Sequence, residues 1–105
     1  SVAVDPSYFL RESSLADYKS PVFQAWLTKN NLIRDPKESD FEFAVRAFSC
    51  FADLADMGSY QPPEKMKASH LCMVPVGDCG ALANLFVSIL LANDVIATTF
   101  PGRWA

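Results

Sequence analysis

The 105-residue chain carries one histidine, three cysteines and four glycines. The single histidine excludes any mechanism that needs two histidines from this chain. Three irregularly spaced cysteines are too few for a disulfide framework. They leave the redox compartment open, and we lean toward an extracytoplasmic location. No basic run is present, and twelve acids against nine bases give a net charge of −3, which argues against nucleic acid as a partner. No stretch approaches the roughly 18–20 apolar residues that a bilayer span requires. The longest apolar run, residues 81–92, is shorter and is interrupted by Asn84 and Ser88. Nothing in the composition calls for a cofactor, and we expect none. Half of the residues are apolar and a fifth are charged, which excludes a disordered tail and suits one domain.

Three helices can be read along the chain. Ser20-Pro21 reads as a helix start, with serine as cap and proline at the first position. Val22, Phe23, Trp26 and Leu27 then form one apolar face, and Asn30-Asn31 ends it. A second start falls at Asp35-Pro36-Lys37-Glu38. Phe41, Ala44, Val45, Phe48, Phe51, Ala52 and Ala55 recur at three and four, so they are expected to face the core. This helix should end near Met57-Gly58. Cys50 falls on its flank beside Phe43, Ala47 and Leu54, where packing is its simplest role. Glu42, Asp53 and Asp56 read as a solvated face. Residues 59–77 read as loop, because Pro62, Pro63 and Pro75 forbid a continuous helix.

Gly77-Asp78-Cys79-Gly80 opens the third helix, which runs to about Asn93. Leu82, Leu85, Phe86, Ile89, Leu90 and Leu91 surround its axis, and only Asn84 and Ser88 make a polar strip. A helix apolar on nearly all sides must be covered on nearly all sides. After a turn at Asn93-Asp94, residues 95–100 are expected to form a strand. We therefore expect the chain to need further cover, from the rest of a longer domain or by self-association.

Cys79 stands at a chemically loaded position. A thiolate is the nucleophilic form of cysteine, and helix N-terminal amides favour an anion. Those amides can also hold a substrate oxyanion. Gly77 and Gly80 leave room for substrate beside the sulfur, and Gly77 suits a tight turn. The alternative is a small residue packed at a helix start.

The run Val76-Gly77-Asp78-Cys79-Gly80, the Ala/Leu-rich helix, and Asn93-Asp94-Val95-Ile96-Ala97 resemble the core motif of the transglutaminase-like superfamily. In that family the catalytic cysteine opens a buried helix, and the helix ends in a turn, usually Gly-Ile-Pro-Ala-Arg, before the first core strand. Asp94, Ile96 and Thr98 depart from that turn. The resemblance implies an α+β, papain-like fold, with Cys79 as nucleophile and its amide as oxyanion donor. It also implies that Gly77, Asp78 and Gly80 line the approach of a protein or peptide-like amide substrate. The family's upstream helix and tyrosine loop match residues 41–57 and Tyr60. Trp104 is a candidate cleft aromatic or a packing residue.

The family's histidine and aspartate follow the cysteine helix, so residues 1–105 read as one partial domain, inactive alone. The expected parent is a peptidase, amidase or transamidase; the alternative is a non-catalytic binding or scaffolding module of the same fold. His70 precedes Cys79 and reads as a loop residue instead of the base. His70, Cys72, Asp78 and Cys79 do not have zinc spacing, so no metal is expected. A Cys50–Cys72 disulfide stays open, because sequence does not supply its geometry.

Overall fold

The computed structural model describes residues 12–97. Four helices and two very short strands make a mainly helical α+β domain. Helix α1 is Pro21–Lys29, α2 is Asp40–Leu54, α3 is Ala68–Leu71 and α4 is Cys79–Ala92. A 3₁₀ turn covers Pro63–Lys65. Strands β1, Asp56–Met57, and β2, Val76–Gly77, pair in parallel. Parallel strands need a long crossover between them. Residues 58–75 supply it, so the expected loop contains β2's approach, the 3₁₀ turn and α3 instead of plain coil.

α4 is the centre of the packing. α2, α3 and β2 all pack on it, and α1 packs on α3. Leu85, Ile89, Leu90 and Leu91 are buried, as are Phe23 and Leu27 of α1, Leu32, Phe43 of α2 and Leu71 of α3. Each such aliphatic or aromatic side chain contributes about 1.5–3 kcal/mol by leaving water. No helix among the described residues is long and apolar enough to cross a membrane.

The expected polar strip of α4 is not a solvated face. Ser88 is buried, and its hydroxyl donates to the Asn84 carbonyl at 2.7 Å. The Asn84 amide donates to the carbonyls of Leu15 and Met66, both at 3.0 Å. It thus ties two loops to the helix. Leu15 also accepts from the Ala68 amide, and the Asp17 carboxylate accepts from the Ser69 amide and hydroxyl. Residues 15–17 therefore cap α3, which lacks a cap of its own. At the other end of α4, Asn93 is buried and fully bonded. Its Nδ2 donates to Leu32 and Ile89, and its Oδ1 accepts from the Arg34 amide, at 2.8–2.9 Å. Asp94 then takes the left-handed conformation, φ 62°, that ends the helix.

Two expected helix starts behave differently. Proline does begin α1, but the Ser20 side chain makes no cap bond. α2 begins at Ser39, not at Asp35. Ser39 accepts from the Glu42 amide while Glu42 accepts from the Ser39 amide, a capping box. Glu38 is instead held by Arg46, whose guanidinium grips both carboxylate oxygens at 2.8 Å and donates to the carbonyls of Asn31 and Ile33. α2 ends at Leu54, and Met57 belongs to β1.

The face of α2 is the main correction. Phe43, Ala47 and Phe51 are buried, with Cys50 and Leu54 packed beside them. Of the expected stripe, Phe41 is 78% exposed, Phe48 56% and Val45 52%. After its first residue, Asp40, α2 has two apolar faces, with the remaining charges in a narrow arc at Glu42, Arg46 and Asp53, so periodicity alone did not choose between them. Ala47 is fully buried, Phe51 meets Phe86 of α4 at 5.4 Å, and the Arg46 guanidinium lies over the Phe43 ring at 5.3 Å. Residues 95–97 are not strand, and the remainder of the expected strand, residues 98–100, lies outside the described residues.

Two measurements check this account. Asn93→Ala removes one acceptor and two donations from a buried cluster. It is expected to cost about 2–3 kcal/mol in urea unfolding, and a loss near zero contradicts the pinning role. The Arg46 bonds hold the Glu38 carboxyl at about 2, well below its ordinary 4.5. Because the folded value is depressed, the Glu38–Arg46 contribution is complete above about pH 4.5 and is lost as pH falls toward 2. The stability gap between wild type and Arg46→Met should therefore narrow across that window. A gap that stays constant refutes the coupling.

Candidate functional site around Cys79

The strand-to-helix junction at residues 76–80 is built by local chemistry. Asp78 caps α4, accepting from the Ala81 amide through Oδ1 at 2.9 Å, while its carbonyl accepts from Leu82 at 3.0 Å. Cys79 is the first helical residue, and it is exposed. The amides of Cys79 and Gly80 bond to no described residue, as expected of the first amides of a helix. Buried α4 behind them fixes the direction in which they point.

Both strands run toward this end of α4. The amides of Asp56 and Gly58 donate to the carbonyls of Pro75 and Gly77, at 2.9 and 2.8 Å. This pairing brings the stretch after β1 beside the stretch after β2. Tyr60, 70% exposed, follows the first, and Cys79 follows the second. The sequence pattern missed this pairing, since two-residue strands leave no alternation to detect. It read Gly58 as a helix end, whereas α2 ends at Leu54 and Gly58 makes room for β2: a Cβ there would sit 2.5 Å from the Val76 side chain. Its position just past a helix was the one available signal.

The two flanking glycines differ. Gly77 is buried and does not have positive φ, so the expected tight turn is not its reason. A Cβ there would lie 2.7 Å from the Ala81 Cβ, so Gly77 lets β2 pass against the first turn of α4. A Cβ on Gly80 meets only the Asp78 carboxylate at an ordinary 3.6 Å. Folding does not require glycine there.

The remaining candidates fall elsewhere. All three cysteines are free thiols, so the Cys50–Cys72 bridge is not formed. Cys72 is buried, donates to the Ser69 carbonyl, and its thiol is pushed up to about 11 by burial and by the nearby Asp17 carboxylate. It is held as an inert thiol at neutral pH. His70 is the third residue of α3, not a loop residue, and is half-buried. Among the described residues no three His, Cys, Asp or Glu side chains converge as metal ligands. Trp104 lies outside the described residues. No family model, curated protein or solved structure matches the chain.

The glycines separate by substitution. Gly77→Ala is expected to lose about 1–3 kcal/mol, because the helix must move off the new methyl. Gly80→Ala should leave thermal stability unchanged or slightly raised, alanine being the better helix former. Equal losses at both positions contradict the close-approach reading of Gly77.

Proposed function

We propose that Cys79 is the nucleophile of a transglutaminase-like, papain-related domain acting on a peptide-like amide or acyl group. The observation that carries this reading is an exposed thiol on the first residue of a buried helix, beside two amides that bond to no described residue. The sulfur would attack the substrate carbonyl carbon as the thiol proton passes to a base. The carbonyl oxygen, now negative, is stabilised by the amides of Cys79 and Gly80. Collapse breaks the C–N bond, the departing amine takes a proton, and an acyl-cysteine remains. Water or a second amine then releases the acyl group. By the resemblance, the base and its orienting carboxylate come from strands that follow the cysteine helix. Tyr60 stands on the neighbouring loop as a candidate wall of the cleft, and Gly80 keeps the approach open.

Asp78 favours a second reading. Its carboxylate is committed to capping the Ala81 amide, a structural role that needs no chemistry at the next residue. A binding or scaffolding module of the same fold, with Cys79 as an ordinary surface thiol, accounts for that arrangement.

Iodoacetamide distinguishes the two. In the nucleophile reading, Cys79 of a chain that carries the strands following the cysteine helix is alkylated at least about tenfold faster than glutathione at neutral pH, while Cys72 in the same molecule stays unmodified. Gly80→Val should slow the reaction of Cys79 without unfolding the chain. If Cys79 reacts no faster than glutathione, the nucleophile reading fails and the binding module stands.

A further inference from the structure

The outward face of α2 presents a second feature, independent of the chemistry at Cys79. Phe41, Val45, Phe48 and Ala52 recur at four, three and four, the spacing of a seam that receives another helix. All four are exposed, on the side of α2 opposite Phe43 and Ala47. Phe86 of α4 extends this face, meeting Phe48 edge-on at 5.5 Å. Between them lies a groove of about 330 Å³ lined by Ala44, Val45, Phe48, Ser49 and Phe86. The Ser49 hydroxyl donates back to the Val45 carbonyl, so the groove has almost no polar demand of its own.

Charge selects the occupant. Glu42 and Asp53 stand exposed along one edge of the seam. The sole basic residue of α2, Arg46, is engaged by Glu38 and two backbone carbonyls. α4 carries no charged residue. An antiparallel two-fold pairing of α2 with a second copy brings this acidic edge against itself, which opposes self-association. We propose that this face docks an amphipathic helix of a separate partner chain, with an apolar stripe for the groove and Lys or Arg along the edge facing Glu42 and Asp53.

Two fluorescein-labelled synthetic helical peptides test it, with the same leucine stripe and either Lys or Glu on the flanks. The 105-residue chain is titrated against each by fluorescence anisotropy. The Lys peptide should bind at least about tenfold tighter than the Glu peptide, and Phe48→Ser should weaken it by at least about tenfold. Asp53→Lys should reduce the preference for Lys, whereas Glu64→Lys, the same charge change outside the groove lining, should leave it within about twofold. Phe48 is exposed, so circular dichroism should show Phe48→Ser folded like wild type. Failure of the Lys peptide to bind, equal binding of both peptides, or indifference to Phe48→Ser or Asp53→Lys overturns the proposal. So does a sedimentation profile in which wild type is a dimer and Phe48→Ser a monomer, since the face would then belong to a second copy.

Discussion

An apolar helix can be buried only if its few polar side chains and its end are satisfied inside the protein. In α4 this falls to Asn84, Ser88 and Asn93. Each asparagine reaches backbone carbonyls far away in sequence: Leu15 and Met66 for one, Leu32 for the other. Such groups are costly when unpaired, at about 1–3 kcal/mol each, so the loops that supply the partners are drawn to defined places. Residues 15–17 are held in this way, and they in turn cap α3. Residues 31–34 are held at the opposite end, where Arg46 also gathers the carbonyls of Asn31 and Ile33. The loops are thus ordered by the needs of the helix they surround.

That anchoring has a consequence at Cys79. The first turn of a helix frays easily when its end is loose, and frayed amides hold nothing. Here Asp78 closes the Ala81 amide, β2 passes directly against Ala81 because Gly77 has no side chain, and β1 pairs with β2. The two amides without a partner among the described residues sit on that frame. The same cap that orders the turn adjoins Cys79 in the chain, and thiol reactivity measures whether the ordered turn also activates the sulfur.

Local chemistry was legible where a few adjacent residues decide the outcome. Pro21 begins α1, Asp78 begins α4, and Cys79 falls on the first helical residue, as Ser20-Pro21 and Gly77-Asp78-Cys79-Gly80 suggest. Asp94 adopts the left-handed turn that its small polar side chain tolerates. What was not legible depends on partners distant in the chain. β1 and β2 have two residues each, and their pairing spans the crossover that contains α3. Asn84 and Ser88 look like solvent-facing polar residues until the carbonyls they reach are known. Ser39 and Glu42 did carry a capping-box pattern, but Asp35-Pro36 offered a competing start four residues earlier.

α2 shows why periodicity can choose the wrong face. Phe41, Val45 and Phe48 make as good a stripe as Phe43 and Ala47, and they are the bulkier set; Phe51, read on the same stripe as Phe41, is buried as expected. The face with the smaller Ala47 goes inward, and Phe51 reaches Phe86 of α4 at 5.4 Å. Hydrophobicity alone would bury the larger side chains; close packing against a crowded neighbour selects the shape that fits. The larger face is then left in water at a cost of about 1.5–3 kcal/mol of forgone burial for each large side chain. Phe48 and Phe86 form a single aromatic surface across the two helices.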